Sequence, residues 1–171
     1  MPPMNFFKLN IDGTKLSPSG KIGAGGVIRN HCGDWIIGFQ INLVVGDILD
    51  AEAWGLYHGL KLVARLNIMK LEVEYDYAIL VQSMNSSNTE LHPLGSLLLG
   101  CSSLMSKMNV ANLTHIFREC NATADSLAKC NISHELNLVC FDNPPAYATQ
   151  AFLDDLSYVS KARRTGNCFS I

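Results

Sequence analysis

The order of hydrophobic and polar positions predicts three strands in the first third of the chain. Residues 5–11 alternate between apolar and polar side chains and end at Asp12-Gly13, a pattern typical of a strand followed by a turn. A glycine-rich stretch leads into Val27-Ile28-Arg29, and a short glycine-containing loop separates these residues from an apolar run at 35–41. Because two such runs joined by a short loop form a β-hairpin, we expect an antiparallel three-stranded meander.

The pattern changes to a helical period in residues 50–66. Apolar side chains recur there at the i, i+3, i+4 spacing of an amphipathic helix, and Asp50 is expected to cap its first turn. Gly55 and Gly59 each cost ~1 kcal/mol relative to alanine inside a helix. Their shared face is therefore expected to pack closely against the sheet. Residues 70–75 alternate strictly and predict a fourth strand.

Strands and helices alternate in the rest of the chain. The elements expected next are a short helix (77–84), a polar loop (85–91), a helix (93–108), a fifth strand (110–117) and a helix (121–129). This order indicates an α/β fold with one mixed five-stranded sheet, three antiparallel strands and then two parallel ones, flanked by helices. We assign residues 1–132 to this domain. Residues 133–171 are treated as a C-terminal extension with a short helix at 147–160 and a mobile tail from Lys161.

Composition and charge narrow the classes of function. The chain has 171 residues, 48% of them hydrophobic and 16% charged, as expected for one globular domain. Its net charge of -2 at pH 7 excludes a strongly basic nucleic-acid binder. The two ends, 1–31 and 161–171, are nevertheless basic around an acidic middle. This asymmetry indicates either solvated surface or a face that binds a partner.

Targeting signals and cysteine spacing bear on the compartment. The first residues show no basic segment followed by a long apolar run, and no stretch has the ~18–20 uninterrupted apolar residues of a membrane span. We therefore expect an intracellular monomer, nuclear or cytoplasmic and not secreted, without a membrane partner. The six cysteines show no Cys-x-x-Cys spacing, so we expect reduced and mostly buried thiols rather than a zinc site or disulfides.

Four carboxylates recur at equivalent positions of successive elements. Asp12 and Asp76 follow the first and fourth predicted strands, and Glu52 and Asp125 lie near the starts of two helices. Each position alone has an ordinary structural explanation, as a turn residue, a helix cap or an acid favoured by the helix dipole. If the first strand is central and the fourth lies beside it, however, all four side chains meet at one edge of the sheet.

A shared site for these acids requires counterions. At ~4 Å, each pair of carboxylates repels by about 4 kcal/mol at an effective dielectric constant of 20. Oxygen donors without histidine or cysteine favour Mg²⁺ or Mn²⁺. Two such ions ~4 Å apart can activate water and stabilise the leaving oxygen in phosphodiester cleavage. The pattern therefore indicates a two-metal site for this reaction.

Several segments of the chain resemble a known family. KLNIDGT, GAGGVIRNHCGDW, AEAWGLYHGLKLV, LEVEYD and HIFRECNATADSLA occur in the order, and at about the spacing, of the RNase H type 1 fold. Over residues 5–130 the chain is most similar to the reverse-transcriptase-like RNase H domains of plant genomes, which are related to retrotransposon polyproteins. The resemblance implies hydrolysis of the RNA strand of an RNA–DNA hybrid with two Mg²⁺ ions, or Mn²⁺ instead. The implied metal ligands and catalytic residues are Asp12, Glu52, Asp76 and Asp125.

The resemblance also implies supporting residues near the last helix of the domain. Asn121 would cap this helix and aim Asp125 inward. Arg118 and Glu119 would support the preceding turn, with an exposed ion pair as the alternative. His115, on the fifth strand, is expected to be a packed residue rather than a catalyst.

Two departures from the family pattern bear on substrate binding. Tyr77 stands where the family usually has serine, and Ile48 and Leu49 stand where well-studied members have asparagines that read the minor groove of the hybrid. We therefore expect nucleic acid to be contacted by Gly13, Thr14, Lys15 and Tyr77, with Lys21 and the basic ends of the chain as further contacts. The alternative function is a catalytically weak or inactive retroelement-derived domain that binds nucleic acid or protein. A nucleotide-binding oxidoreductase is excluded, because the glycines at 23–26 enter a strand and open no helix.

Overall fold

The computed structural model describes residues 2–84, 92–130 and 137–165, so the loop predicted at 85–91 lies outside the described residues. The described residues form one six-stranded mixed sheet in the order β5-β4-β1-β2-β3-β6. The strands are β1 (Phe7–Leu16), β2 (Lys21–Arg29), β3 (Trp35–Leu43), β4 (Lys70–Tyr75), β5 (Val110–His115) and β6 (Asn137–Phe141). The helices are α1 (Ile48–Arg65), α2 (Ala78–Met84), α3 (Gly95–Met105), α4 (Ala122–Lys129) and α5 (Ala146–Thr165). Within these described ranges no helix has the length and hydropathy to cross a lipid bilayer.

The sheet confirms the predicted fold class and adds one strand to it. Strands β1, β2 and β3 form the expected antiparallel meander, and β4 and β5 run parallel to β1 on its other side. The prediction of five strands was wrong by one, because β6 pairs antiparallel with β3. This strand lies at the sheet edge and is largely exposed, so it lacks the buried alternation by which the other strands were found.

Several boundaries differ from the predicted ones, and three of the differences have a local explanation. The ladder with β2 continues β1 through Asp12 and Gly13, so this dipeptide is part of the strand and no turn. Helix α1 begins earlier than expected, because Asp47 is its N-cap and Asp50 completes a capping box with it. Helix α5 continues to Thr165, past the predicted start of a mobile tail, and residues 166–171 lie outside the described part of the chain.

Glycines allow a helix to approach each face of the sheet closely. On one face, a Cβ atom at Gly59 of α1 would lie 2.8 Å from Leu9 Cδ2, which confirms the predicted close packing. On the opposite face, a Cβ atom at Gly25 of β2 would lie 2.4 Å from the backbone nitrogen of Ala128 in α4. Helices α1 and α4 therefore enclose the centre of the sheet between them.

The two faces of β1 carry different chemistry. Leu9 and Ile11 are fully buried in the main hydrophobic core with α1. The alternate positions Asn10 and Asp12 are also buried, at 0% and 3% exposure. Since neighbouring residues of a strand point to opposite faces, the polar positions of β1 lie on the side covered by α4. A pattern that would suit a half-exposed strand therefore belongs to a strand buried on both faces.

The described cysteines are not mostly buried as expected. No disulfide bond joins the five cysteines within the described ranges, and Cys168 lies outside them. Cys101 is buried on α3, whereas Cys32 lies exposed in the β2–β3 turn and Cys140 lies exposed on β6. Edge and turn positions leave these two side chains in solvent.

The contact at Gly25 predicts a strong effect of a single methyl group. Gly25→Ala should lower the free energy of unfolding by about 1–3 kcal/mol, because the new Cβ atom would meet the backbone of α4, which cannot rotate away. The matched control is Gly100→Ala in α3, where the nearest atom is Tyr57 Cε2 at 3.3 Å and a helical alanine gains ~1 kcal/mol. Urea unfolding of both variants measures the difference. Equal stability of the two variants would contradict the close packing of α4 on β2.

Candidate metal centre

Asp12 and Asp76 are brought together by the parallel pairing of β1 and β4. The ladder pairs Asn10 with Glu74, and the same register continued by two residues sets Asp12 level with Asp76. Strand β4 ends at Tyr75, so Asp76 leaves the sheet beside Asp12 instead of extending the ladder. The predicted meeting of these two acids at adjacent strand positions is therefore present in the structure.

Glu52 approaches the same point from α1. The backbone N–H of Gly13 donates a hydrogen bond to Glu52 Oε1 at 2.9 Å. A Cβ atom at Gly13 would lie 2.8 Å from the backbone nitrogen of Glu52, so only glycine lets α1 come this close. Ligand oxygens of Asp12, Glu52 and Asp76 consequently all lie within 4.8 Å of one another.

The protonation of these carboxyl groups reflects their burial. Burial raises the pKa of Asp12 to about 9, and the charges of the neighbouring carboxylates act in the same direction. Burial, followed by the charge of Asp76, raises the pKa of Glu52 to about 8. The pKa of Asp76 is also raised, chiefly by burial, although Arg118 and a hydrogen bond with Asp12 oppose this effect. Without a cation, the cluster therefore retains protons at neutral pH.

Asp125 lies near this cluster but is held by cations. Its Oδ1 atom accepts a hydrogen bond from Arg118 Nη2 at 3.2 Å, and its Oδ2 atom accepts one from Lys129 Nζ at 2.6 Å. Burial acts to raise the pKa of Asp125, but the hydrogen bonds from Lys129 and Arg118 outweigh it and lower the pKa. Its charge still raises the pKa of Asp12, so the two carboxylates lie within electrostatic range. Three of the four predicted residues thus converge, and the fourth is ion-paired beside them.

The residues expected to support α4 act differently from the expectation. Asn121 stands at the N-cap position but makes no side-chain cap, so that prediction was wrong. Its Nδ2 group instead donates to the carbonyl of Ile11 at 2.7 Å, and its Oδ1 atom accepts from Asn10 Nδ2 at 3.2 Å. The side chain is directed to β1 because these buried polar groups need partners. Glu119 lies exposed in a 3₁₀ turn that precedes α4.

Residues around the rim of the cluster differ in their exposure. His115 is exposed at the end of β5, but its ring packs edge-on against Tyr75 at a centroid distance of 5.9 Å, and a ring nitrogen lies 3.1 Å from the carbonyl of Asp76. Tyr77 is half-buried, Thr14 is 9% exposed and Lys15 is exposed. The N–H of Gly13 is engaged by Glu52. The roles of Gly13, Thr14, Lys15 and Tyr77 toward nucleic acid stay predictions.

Two residues of the site were not found from the sequence alone. Lys129 lies four positions after Asp125 on α4, a spacing that brings side chains together on a helix and was a usable signal. Asn10 donates to Glu74 Oε2 at 3.0 Å and to Asn121, and it accepts from Arg29. Nothing in the local sequence distinguishes this asparagine from a solvent-facing one.

The donor set fits a hard divalent cation. Asp12 Oδ2 and Glu52 Oε2 are buried and have no hydrogen-bond partner among the described residues. Buried carboxylate oxygens without partners are costly, and a bound cation would remove this cost. Carboxylate oxygens without nitrogen or sulfur ligands suit Mg²⁺ or Mn²⁺. The same side chains would hold such an ion: Asp12, Glu52 and Asp76.

The sequence of the chain is similar to one protein family and to a relative from a plant. A family profile described as reverse transcriptase-like matches residues 10–131. A protein of Arabidopsis thaliana, whose name assigns it provisionally to ribonuclease H, is 30% identical over 163 residues. The match covers 95% of this chain but only 26% of that protein, so the chain spans about a quarter of the length of this relative.

Solved structures of RNase H proteins share the fold. The N-terminal RNase H domain of a Mycobacterium tuberculosis protein aligns with a TM-score of 0.67 at 22% identity, over 74% of this chain and 93% of that chain. The LC11 RNase H1 in complex with an RNA/DNA hybrid aligns with a TM-score of 0.61 at 21% identity, over 71% of this chain and 93% of the other. With the profile matching most of the chain, the protein belongs to the reverse transcriptase-like family, and it has the fold of these RNase H structures.

Proposed function

We propose that this protein is a metal-dependent endonuclease that hydrolyses the RNA strand of RNA–DNA hybrids. The observation that carries the proposal is the convergence of Asp12, Glu52 and Asp76 within 4.8 Å, with two buried oxygens that lack partners. Membership of the reverse transcriptase-like family and a neighbour of similar fold, an RNase H1 in complex with an RNA/DNA hybrid, support the choice of substrate. Two Mg²⁺ ions are the proposed cofactor, with Mn²⁺ as a substitute.

Each carboxylate has a proposed part in the reaction. Divalent ions, when bound, would supply Lewis-acid polarisation of the scissile phosphate and activation of the attacking water. Asp12 and Asp76 would be the central ligands, since adjacent strand positions fix both. Glu52 would contribute one oxygen, because its Oε1 atom is held by Gly13 and its Oε2 atom is without a partner. Asp125 would support the second ion after release from Arg118 or Lys129.

Contact with the nucleic acid would come from the rim. Lys15 is exposed on the part of β1 that follows Asp12, where its ammonium group can reach a phosphate. Tyr77 is partly exposed next to Asp76 and offers a ring for stacking or sugar contact. Thr14 and the backbone of Gly13 complete the proposed contact surface.

A second candidate is a domain that binds nucleic acid with little or no turnover. The ion pairs of Asp125 with Arg118 and Lys129 favour it, because they neutralise the carboxylate that the second ion needs. Under this alternative the three converging carboxylates would still bind one divalent ion. Hybrid binding without cleavage distinguishes the two candidates.

Cleavage of a labelled RNA–DNA hybrid in Mg²⁺ or Mn²⁺ tests the leading proposal. The wild-type protein should cleave the RNA strand, and Asp12→Asn or Asp76→Asn should lower kcat by about 100-fold or more, because each variant loses a ligand oxygen. Asp142→Asn, which makes the same change at an exposed position beyond β6, is the matched control and should keep wild-type activity.

The outcomes of this assay separate the candidates. Cleavage that is equal in the wild type and in Asp12→Asn would contradict the assignment of the site. No cleavage by the wild type, together with retained binding of the hybrid in a gel-shift experiment, would favour the second candidate. Loss of cleavage in chelator and its return with Mn²⁺ would support metal dependence.

The raised pKa values predict how stability depends on pH in the metal-free protein. The folded-state pKa values of Asp12 and Glu52, about 9 and 8, lie above their ordinary values of 3.8 and 4.5. The folded state therefore binds more protons than the unfolded state between these values. The stabilisation of the folded state by these bound protons is therefore present at low pH, and it is lost as the pH rises through about 8–9.

Urea unfolding in EDTA between pH 6 and pH 9 measures this dependence. Asp12→Asn should flatten the decline and raise the free energy of unfolding at pH 8 by about 1–3 kcal/mol, because folding then no longer requires a carboxyl group that is ionised in the unfolded state to take up a proton. Asp142→Asn should retain the wild-type slope. Addition of Mg²⁺ should stabilise the wild type more at high pH, since ligands must release protons to bind metal. Identical slopes in the wild type and Asp12→Asn would show that this carboxyl does not titrate in that range.

A further inference from the structure

Helix α4 carries Asp125, yet its own N-cap residue does not cap it. The side chain of Asn121 is used by β1, so the free N–H groups of the first turn need another acceptor. Asp155 of α5 supplies it. Its Oδ2 atom accepts from the backbone N–H of Thr123 at 3.1 Å and from the Thr123 hydroxyl at 2.6 Å. A carboxylate from a distant helix thus performs the function of an N-cap.

The capping carboxylate is buried and belongs to a polar network under the site. Asp155 is 3% exposed, and the positive charge of Arg29, itself 5% exposed, acts on it. Arg29 donates to Asn10 Oδ1, and Asn10 donates to Asn121, which holds the carbonyl of Ile11 next to Asp12. Hydrogen bonds therefore join Arg29 to the strand that carries the central carboxylate, and the charge of Arg29 acts across to Asp155 on α5.

Helix α5 is firmly placed, so its carboxylate can fix another element. Tyr147 in its first turn donates its hydroxyl to Gln40 of β3 at 2.7 Å, and its carbonyl accepts from Ser126 of α4 at 3.1 Å. In the next turns, the ring of Phe152 packs edge-on against Trp35 with a centroid distance of 5.3 Å. These contacts hold α5 against both β3 and α4 before the chain reaches Asp155.

We propose that Asp155 is a positioning residue of the candidate metal centre, which caps α4 from α5 and thereby holds Asp125 at the sheet edge. The proposal rests on the proposed function, since it takes Asp125 as a metal-supporting carboxylate. Asp155 lies beyond residues 10–131, which match the family profile, and beyond the domain predicted at 1–132. The candidate centre therefore depends on the C-terminal segment of the chain.

The adjacent residue provides a matched control. Asp154 is exposed, and its Oδ1 atom accepts a local hydrogen bond from Gln150 of the same helix, at 3.0 Å. Asp154→Ala and Asp155→Ala remove the same charge from neighbouring positions of α5. Asp155→Asn keeps an acceptor oxygen for Thr123 but removes the charge opposite Arg29, so it separates capping from charge balance.

Calorimetric titration of Mn²⁺ is the first measurement. Asp155→Ala should weaken binding of the second Mn²⁺ ion, the one that Asp125 would support, by about 10-fold, as is usual when a residue that orients a ligand is lost. Asp155→Asn should stay within about 3-fold of the wild type, and Asp154→Ala should match it. An unchanged affinity in folded Asp155→Ala would overturn the proposal. If Asp155→Ala does not fold, Thr123→Val, which loses only the hydroxyl donor, should show the weakened binding, and wild-type affinity in that variant would overturn it.

Hydrogen exchange in the metal-free protein is the second measurement and does not depend on the proposed function. The N–H of Thr123 is bonded to Asp155, and the N–H of Asp125 is bonded to the carbonyl of Asn121 at 3.1 Å. Both should exchange at least about 10-fold faster in Asp155→Ala, but not in Asp155→Asn or Asp154→Ala. If the wild type binds no second Mn²⁺ ion, the proposed two-ion function fails, while this exchange pattern still decides whether Asp155 positions α4. Unchanged protection in Asp155→Ala would overturn that role.

Discussion

Strand β1 determines the arrangement of the site because both of its faces are buried and their chemistry is opposite. Leu9 and Ile11 fill the apolar core under α1, while Asn10 and Asp12 point to the side covered by α4. A shift of the strand by one residue would place a carboxylate in the apolar core and a leucine among buried polar groups. The register of β1 is therefore fixed from both sides. Since Asp76 and Glu52 are positioned relative to this strand, the register also sets the geometry of the cluster.

The fold brings three carboxyl groups together at a buried position, where their ionised forms are unfavourable. Parallel pairing brings Asp76 level with Asp12, and the absence of a side chain at Gly13 lets Glu52 come within hydrogen-bond range of the same strand. Burial then disfavours the charged forms, which is why the pKa values of Asp12 and Glu52 rise. The burial and close approach of these carboxyl groups would favour a bound cation, and the same two features destabilise the cluster without one. Conflicts of this kind are expected where function, rather than stability, determines the residues.

Periodicity and topology could be read from the sequence, whereas the partners of buried polar groups could not. The glycines of α1 and the order of the first nine elements follow from local patterns, and the parallel neighbours β1 and β4 then bring Asp12 and Asp76 together. The edge strand β6 has no buried face to reveal it. Asp154 and Asp155 are adjacent acids of one helix, and only the packing of α5 on α4 makes one exposed and the other a buried cap. Asn121, likewise, has the sequence position of a cap and the contacts of a strand-binding residue.

The formal net charge of the chain does not represent the electrostatic potential at the candidate metal centre. Asp125 contributes a negative charge to the net of -2, but Arg118 and Lys129 lie against both of its oxygens. Asp12 and Glu52 carry protons at neutral pH in the metal-free state, so they add less negative charge than their number implies. Binding of divalent cations would replace those protons with a larger positive charge. A phosphate backbone would therefore meet a site that is close to neutral without metal and positive with it, although the composition indicates an acidic protein.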